Sequence, residues 1–577
     1  MDTSMESCAY DEKTGNAGEG RFFPEGRGTA FVLVLFLLLY LPFVGKAFHI
    51  DDLAFINASK MIGWNPLEVI PTDMHFEGIL YPKYIVYELS HPLLVSYFIK
   101  IVIALFGESE VALHLAFMVF PLVALFSLMK LHRVFFPDAG EMSALPALFL
   151  LAMPAFLVNS LNVMTDLPTL AFLLLGMACL FDGLENGSAK MSYLGGISLA
   201  LSVFCSYQML AFPPLIFLYA LWRRKLTLHT FVGIALPYAC LLAWLLAIYA
   251  VYDVFPVLKS KVTGTSGDMG GMIKRGFGAE AIFKKGFSAL ALIGATGIFV
   301  LPLHYGLKRI MGRFLLLFTV LLPLSYLATF KITRYSFNAS LAFSCFVALG
   351  VLTVLTLVWT VWQRAEKGEK TRRDVFLLVW FFCVLGYATL LLPFSAARYI
   401  LPLFPPMLML MTSDPAWQAA TSGRRIAVWS VLAASLLFGA ASAFSDYKYA
   451  DSYRQFAAKV KQIRSDAGNA FDVWYIGEWG MHYYMDKAGA RYLHRDSNEP
   501  KAGDYVVLPD MPRMWRPSLP LQYRLSLKGE HRYASWFPLR LFNRRSDAGF
   551  YCHAWGMLPF AVSNEPDEVF TVLQVVR

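Results

Sequence analysis

The chain has 577 residues, of which 57% are apolar and only 16% charged, against about 25% charged in an ordinary soluble domain. Mean hydropathy is +0.51 and aromatic residues make up 15%, with 48 Phe and 28 Tyr. A soluble protein of this composition would expose large apolar patches. The chain therefore reads as a polytopic membrane protein, and disordered, collagen-like and disulfide-stapled secreted classes are excluded. The net charge of +9 does not point to nucleic acid, because many of the cations fall in short clusters between apolar runs, where they orient membrane spans. The seven cysteines show neither CxxC nor metal-ligand spacing, and no disulfide framework is implied.

A span needs about 20 mostly apolar residues, with a lower limit of about 17. In chain order, a polar tail (1–28) leads into a first apolar run near 29–44, expected to be an uncleaved helix because no small-residue cleavage site follows it. Further spans are predicted near 110–130, 143–161, 166–182, 191–206, 208–222, 227–250, 287–306, 314–330, 337–362, 374–393, 398–412 and 426–444. This assignment puts the basic clusters at Lys130–Arg133, Arg223–Lys225, Lys308–Arg313, Arg364–Arg373 and Arg424–Arg425 on one side, the cytoplasm. It also requires that the apolar segment from His91 to Gly107 lie along the outer surface as an interfacial helix. The expectation is an all-α polytopic protein of about 13 spans in the plasma (inner) membrane, with a cytoplasmic N-terminus. Its membrane domain covers 29–444, with a first outer loop at 45–109. A small extracytoplasmic α/β domain follows at 445–577. In that domain short β-rich runs (Asp472–Ile476, Asp504–Leu508, Val569–Val576) alternate with a helical stretch over Glu478–Lys487.

Ionisable residues at the mouths of an apolar bundle are functional candidates. Asp51 and Asp52 come just beyond the first span. The plainer reading has Asp52 capping a helix over Leu53–Ile62, but capping accounts for one acid better than for two. Adjacent carboxylates push one pKa upward, which suits a general base. Asp166 opens the fourth span, where Thr165 or Asp166 as a cap with Pro168 in the first turn is the plainer account. Lys331, Arg334 and Tyr335, and separately Arg398 and Tyr399, sit at outer ends of spans, where the charge pattern gives no reason for cations. They either snorkel to lipid phosphates or clamp an anionic ligand, a task for which the planar fork of Arg is suited. Weaker signals are His91, which opens the interfacial helix, and Glu77, both candidates for substrate contact, and the set Asp73, His75 and Glu77. That Asp-x-His-x-Glu spacing would accept a divalent metal, though no cofactor is demanded. The glycine-rich stretch from Gly264 to Gly278 has no phosphate-loop pattern. The aromatic run 474–484 reads as packing surface more than as a catalytic centre.

Taken in order, the acidic pair after the first span, His91-Pro-Leu-Leu, Leu105-Phe-Gly-Glu-Ser, Thr165-Asp-Leu-Pro and Arg398-Tyr-Ile-Leu-Pro resemble the GT-C membrane glycosyltransferases. Within them they are similar to the branch holding protein O-mannosyltransferases and the lipid A aminoarabinose transferase. The resemblance covers roughly residues 31–412. It implies that Asp51 or Asp52 is the catalytic carboxylate of the first outer loop, that Asp166 is the acid of the second, and that Arg398 lies by the lipid phosphate. Here Leu93 replaces a proline and Asp-Asp replaces Asp-Glu. The implied partners are a polyprenyl-phosphate-linked sugar donor and a lipid, glycan or protein acceptor. The implied reaction is an inverting hexosyl or pentosyl transfer with an Asp base, the donor phosphate being held by Arg398 with Lys331 or Arg334. The rival reading is a lipid or solute transporter or flippase, which would also have many spans but tends to carry its ionisable groups near the bilayer midplane.

Overall fold

The computed structural model describes residues 27–76, 78–84, 92–253, 278–330, 336–366, 371–418, 421–466, 470–495, 499–511 and 524–576. Glu77, His91, Lys331, Arg334, Tyr335 and the glycine-rich stretch 264–277 lie outside these residues.

Among the described residues, seven helices are long and apolar enough to cross a bilayer, including Asp166–Asn186, Leu228–Tyr252, Phe337–Glu366 and the 45-residue Ser422–Asp466. An eighth crossing results if Ala279–Thr296 and Val300–Leu307, bent by 62° at their junction, count as one span. The protein is thus a helical membrane protein, as its composition requires. The five other predicted spans are shorter or broken, so the number thirteen does not follow from helix length. The run 143–161 is interrupted at Met153, whose extended backbone precedes Pro154, giving Ala144–Ala152 and Pro154–Ser160, all of whose residues are buried. A proline cannot donate the helical hydrogen bond to the preceding turn, so the ladder breaks there. The run 398–412 is a 3-10 segment, Ala397–Leu403, followed by Phe404–Thr412, again wholly buried in the second part. These interrupted segments form the centre of the bundle, while helices such as Met311–Thr329 carry Leu316, Leu324 and Leu327 exposed at its periphery. Close packing of two spans depends on Gly196, where a Cβ would overlap the backbone of Gly233 on the helix Leu228–Tyr252. Small residues serve this purpose wherever membrane helices touch.

The predicted interfacial segment is the helix Leu94–Phe106. Its 13 residues reach only about 20 Å at 1.5 Å per residue, short of a bilayer core.

The strand-bearing C-terminal part begins after the helix Ser422–Asp466, which runs unbroken through position 444. Its five-stranded sheet has the order Arg491–Tyr492, Val473–Tyr475, Tyr505–Pro509, Glu568–Val576, Arg524–Tyr533. The first three strands are parallel, and Glu568–Val576 is antiparallel to both of its neighbours. The helix Trp479–Lys487 connects the first two strands in sequence. The long helix packs on this sheet through Phe456, whose ring stacks on Phe570 at 4.1 Å. It thereby links membrane part and sheet as one continuous rod.

The first outer loop contains the helix Asp52–Lys60 and a hairpin, Thr72–Phe76 with Ile79–Tyr84. Both ends of the loop are tied to the C-terminal part. At the hairpin tip Gly78 N donates to Tyr492 Oη at 2.8 Å and Arg495 N to the Gly78 carbonyl at 2.9 Å. Nearer the membrane, Phe48 N donates to Tyr484 Oη at 2.9 Å, and Tyr484 Oη donates to Glu110 Oε1 at 2.8 Å. A Cβ at Gly480 would overlap the Phe48 carbonyl oxygen, so the helix Trp479–Lys487 can approach this closely only with glycine there. The aromatic run 474–484 is therefore the packing surface expected from its composition.

Candidate active site

The first helix ends at Tyr40, and Pro42 turns the chain through the 3-10 segment Leu41–Phe43. Residues 46–50 then run inward, all buried. Ile50 has φ 46°, a left-handed backbone that is costly for a β-branched residue and is sustained only where surrounding contacts impose it. The contacts are close at hand: Asp52 N donates to the His49 carbonyl at 3.1 Å, and His49 N donates to Asp52 Oδ2 at 2.7 Å. This tight turn points the two adjacent carboxylates in different directions.

Asp52 is fully buried, and its second oxygen, Oδ1, accepts from Val163 N at 2.8 Å. It therefore does not cap its own helix. It joins the first outer loop to the turn 161–165, which follows the broken helix pair. Burial pushes its carboxyl up to about 7, while Lys46 and the two backbone N–H groups pull it the other way. Asp51 stands at the N-cap position without a side-chain cap bond, and its side chain is 36% exposed.

The partner of Asp51 is Arg398. Nη2 of Arg398 lies 2.8 Å from Asp51 Oδ2, and the arginine side chain is only 7% exposed. The same nitrogen donates to Tyr399 Oη at 3.4 Å, the guanidinium carbon lies 5.1 Å from the Tyr399 ring centre, and Nη1 is 3.9 Å from Met164 Sδ. Asp166, first residue of the helix Asp166–Asn186, experiences the charges of both Arg398 and Asp51. Thr165 does not cap that helix; its hydroxyl donates to the Cys205 carbonyl at 2.7 Å. Asp51, Asp166, Arg398 and Tyr399, predicted from three separate stretches of sequence, thus form one electrostatic cluster. Beside it runs an apolar cleft lined by Phe212, Leu215, Val384, Tyr387, Tyr399 and Pro402.

The fourth wall is the C-terminal part, which sequence reasoning left without a role. Its loop 549–555 docks on the stretch before Arg398. Ala397 N donates to the Phe550 carbonyl at 2.9 Å, His553 N to the Ser395 carbonyl at 3.0 Å, and Ser395 N to His553 Nδ1 at 3.0 Å. Cys552 in that loop is close enough to experience the charges of Arg398 and Asp51.

Behind the acidic pair lies a second, buried polar cluster that was not singled out from the sequence. Lys46 Nζ donates to Asp446 Oδ2 and to Asn162 Oδ1, both at 2.5 Å. Tyr551 Oη donates to the same Asp446 oxygen at 2.9 Å, and Asn162 Nδ2 donates to Tyr551 Oη at 3.2 Å. His49 Nε2 stands 3.5 Å from Asp446 Oδ1 among the rings of Tyr449, Tyr453 and Tyr551. Burial holds the His49 imidazole below its ordinary pKa and so neutral. Lys46 and Asp446 are 0% and 2% exposed. A buried pair of this kind is tolerable only with further hydrogen bonds, which Asn162 supplies to Lys46 and Tyr551 to Asp446 Oδ2. Lone charges where the first span ends and where the last long helix leaves the membrane were the available signal.

Of the three residues whose spacing would accept a metal, His75 lies with its ring 4.8 Å from that of His494 and is joined by no cluster of three His, Cys, Asp or Glu among the described residues. Glu77 lies outside them.

Residues 90–252 match the family model described as dolichyl-phosphate-mannose-protein mannosyltransferase. The resemblance is borne out over this stretch. The mannosyltransferase-like stretch contains the helix Leu94–Phe106, the turn carrying Asn162, Val163 and Met164, and Asp166. It includes neither Asp51 nor Arg398. No curated protein matches the chain. Among solved structures, ArnT from Cupriavidus metallidurans bound to undecaprenyl phosphate is 12% identical, with 83% of this chain and 92% of that one covered at a TM-score of 0.48. The oligosaccharyltransferase AglB from Archaeoglobus fulgidus, in complex with an inhibitory peptide and a dolichol-phosphate, is 13% identical over 84% of this chain and 70% of that one, TM-score 0.46. The arabinofuranosyltransferase AftD from Mycobacteria is 12% identical over 98% and 41%, TM-score 0.35.

Proposed function

We propose that the chain is an integral-membrane glycosyltransferase that moves a sugar from a polyprenyl-phosphate donor to a lipid, glycan or protein acceptor outside the cytoplasm. The observation that carries this reading is the Asp51–Arg398 pair, a half-exposed carboxylate held against a buried guanidinium at the mouth of a helical bundle. The family model matched by residues 90–252 favours group transfer over transport.

In this mechanism Arg398 binds the donor phosphate, and the apolar cleft beginning at Tyr399 takes the first part of the lipid chain. A phosphate competes with Asp51 for the guanidinium. Once Arg398 turns to the phosphate, the Asp51 carboxylate is released from the ion pair and is free to meet the acceptor hydroxyl. Asp51 then takes the proton of the acceptor hydroxyl as that oxygen bonds to the anomeric carbon. The bond from anomeric carbon to phosphate oxygen breaks, its electron pair leaves with the polyprenyl phosphate, and the growing charge is stabilised by Arg398. A single displacement inverts the anomeric centre. The Asp166 carboxylate adds a second negative charge that acts on Arg398. Asp52 has both oxygens committed to backbone N–H groups and serves as a tether.

Mass spectrometry of envelope lipids and glycans from a strain lacking this protein tests the reading. A glycosylated product should disappear, return with the wild-type chain, and stay reduced by ~10²–10⁴-fold in rate with Asp51→Asn. Full restoration by Asp51→Asn, with the protein present in the membrane at wild-type amount, would overturn the assignment.

A further inference from the structure

A second cavity lies at the other end of the long helix. It occupies about 600 Å³ where the bent pair Ala279–Thr296 and Val300–Leu307 meets the start of the helix Ser422–Asp466. Asp446, at the candidate active site, lies on the same helix about 36 Å beyond Ser422 at 1.5 Å per residue. A bilayer core is about 30 Å thick, so the cavity opens at the opposite membrane face. Its walls are apolar, formed by Phe299, Leu303, Leu307, Ala427 and Val431, and two arginines, Arg309 and Arg424, line it together with Thr421.

The arginines distinguish this cavity from a gap between helices. Two cations nearby are neutralised: Lys308 by Asp414 at 3.1 Å and Arg364 by Asp374 at 3.1 Å. Neither the Arg309 nor the Arg424 side chain has an ion-pair or hydrogen-bond partner among the described residues. Arg309 follows Lys308 directly and has φ 57°, a left-handed turn just after the helix Val300–Leu307. Two unpaired guanidinium groups at the rim of an apolar groove, where the spans end, complement a ligand with one anionic oxygen-rich end and a hydrocarbon body.

We propose that this groove binds an acidic glycerophospholipid, its phosphate between Arg309 and Arg424 and an acyl chain along the apolar wall. A zwitterionic headgroup fits less well, since its own cation would meet the same two arginines. The site lies across the membrane from the transfer chemistry and does not depend on the proposed function.

The test uses the full chain purified in detergent and incubated with mixed micelles of phosphatidylglycerol or phosphatidylcholine, with retained lipid counted by native mass spectrometry. The wild type should retain phosphatidylglycerol about tenfold or more over phosphatidylcholine. Arg309→Gln/Arg424→Gln should lower that retention by about tenfold or more, the effect of losing charge-assisted contacts, whereas Arg313→Gln/Arg425→Gln, outside the groove, should retain it. Ala427→Phe, which narrows the groove and leaves both arginines, should also lower retention. Size-exclusion elution reports that each variant is folded. Equal retention of the two lipids, unchanged retention in the Arg309→Gln/Arg424→Gln variant, or the same loss in the control variant would overturn the proposal. Thermal stabilisation by inorganic phosphate alone equal to that by phosphatidylglycerol would assign the arginines to a free anion and overturn the lipid site.

Discussion

Arg398 donates from Nη2 to Asp51 Oδ2 at 2.8 Å, joining the end of the first span to a segment near the close of the membrane part. The pair forms because three interruptions coincide: the left-handed turn at Ile50, the broken helix around Pro154 with its following turn, and the 3-10 segment that begins at Ala397. Irregular backbone at this depth is acceptable where it lines a cavity and is buried in protein. The cluster therefore stands where regular helices would have left no room for a ligand.

The two neighbouring aspartates should separate by phenotype. In Asp52→Asn the amide can offer only one acceptor oxygen to the two N–H groups that Asp52 satisfies, leaving a buried donor unpaired at a cost of about 1–3 kcal/mol. Thermal unfolding should show lower stability than the wild type or Asp51→Asn, with transfer reduced less than in Asp51→Asn. A stable but inactive Asp52→Asn would move the base to Asp52.

Arg398→Lys keeps the charge and loses the planar fork. Donor KM should rise by about tenfold, with the acceptor KM little changed, when initial rates are followed against lipid-phosphate-sugar concentration. An unchanged donor dependence would remove Arg398 from the phosphate site.

The Lys46–Asp446 pair predicts non-additive stability. Removing one charge strands the other in a buried site, so Lys46→Met or Asp446→Leu alone should cost about 3–5 kcal/mol. The double variant should be more stable than either single variant, because no uncompensated charge remains. Denaturation midpoints of the three variants measure the coupling; simple additivity would mean that the pair does not act as a unit.

Acidification should loosen the C-terminal part from the site. Burial presses His553 down to about 4, and its Nδ1 accepts from Ser395 N, so the docked state needs a neutral ring. An unfolded histidine titrates near 6.5. Between about pH 6.5 and 4 the unfolded state therefore binds the extra proton, and stability falls as pH falls through this window. His553→Ala should be less stable at neutral pH and should show a weaker loss of stability across the same window. A wild-type slope retained in His553→Ala would place the titration elsewhere.

The membrane class, most of the long helices and three of the five strands of the C-terminal sheet were legible in the sequence, because apolar length and periodicity reflect local solvent preference. Asp51, Asp166, Arg398 and Tyr399 were legible for a related reason: charge and polar aromatics at span ends are costly enough to be conspicuous. Lys46 and Asp446 obeyed the same rule and were missed, because each reads as an ordinary charge at the end of an apolar run until the partner is seen. The capping role expected for Asp52 failed because its carboxylate is used across the fold, on Val163 N, and not along its own helix.

The sequence alone determined that the chain lives in a bilayer and which of its polar residues sit at the rims of its apolar runs. Only the tertiary structure decided that Asp51 is the carboxylate facing Arg398, that Asp52 is buried as a tether, and that the C-terminal loop around Cys552 closes the site. Apolar partition is a property of consecutive residues and is written locally. Which charges meet depends on where helices break and on contacts between segments hundreds of positions apart, and no local pattern encodes those.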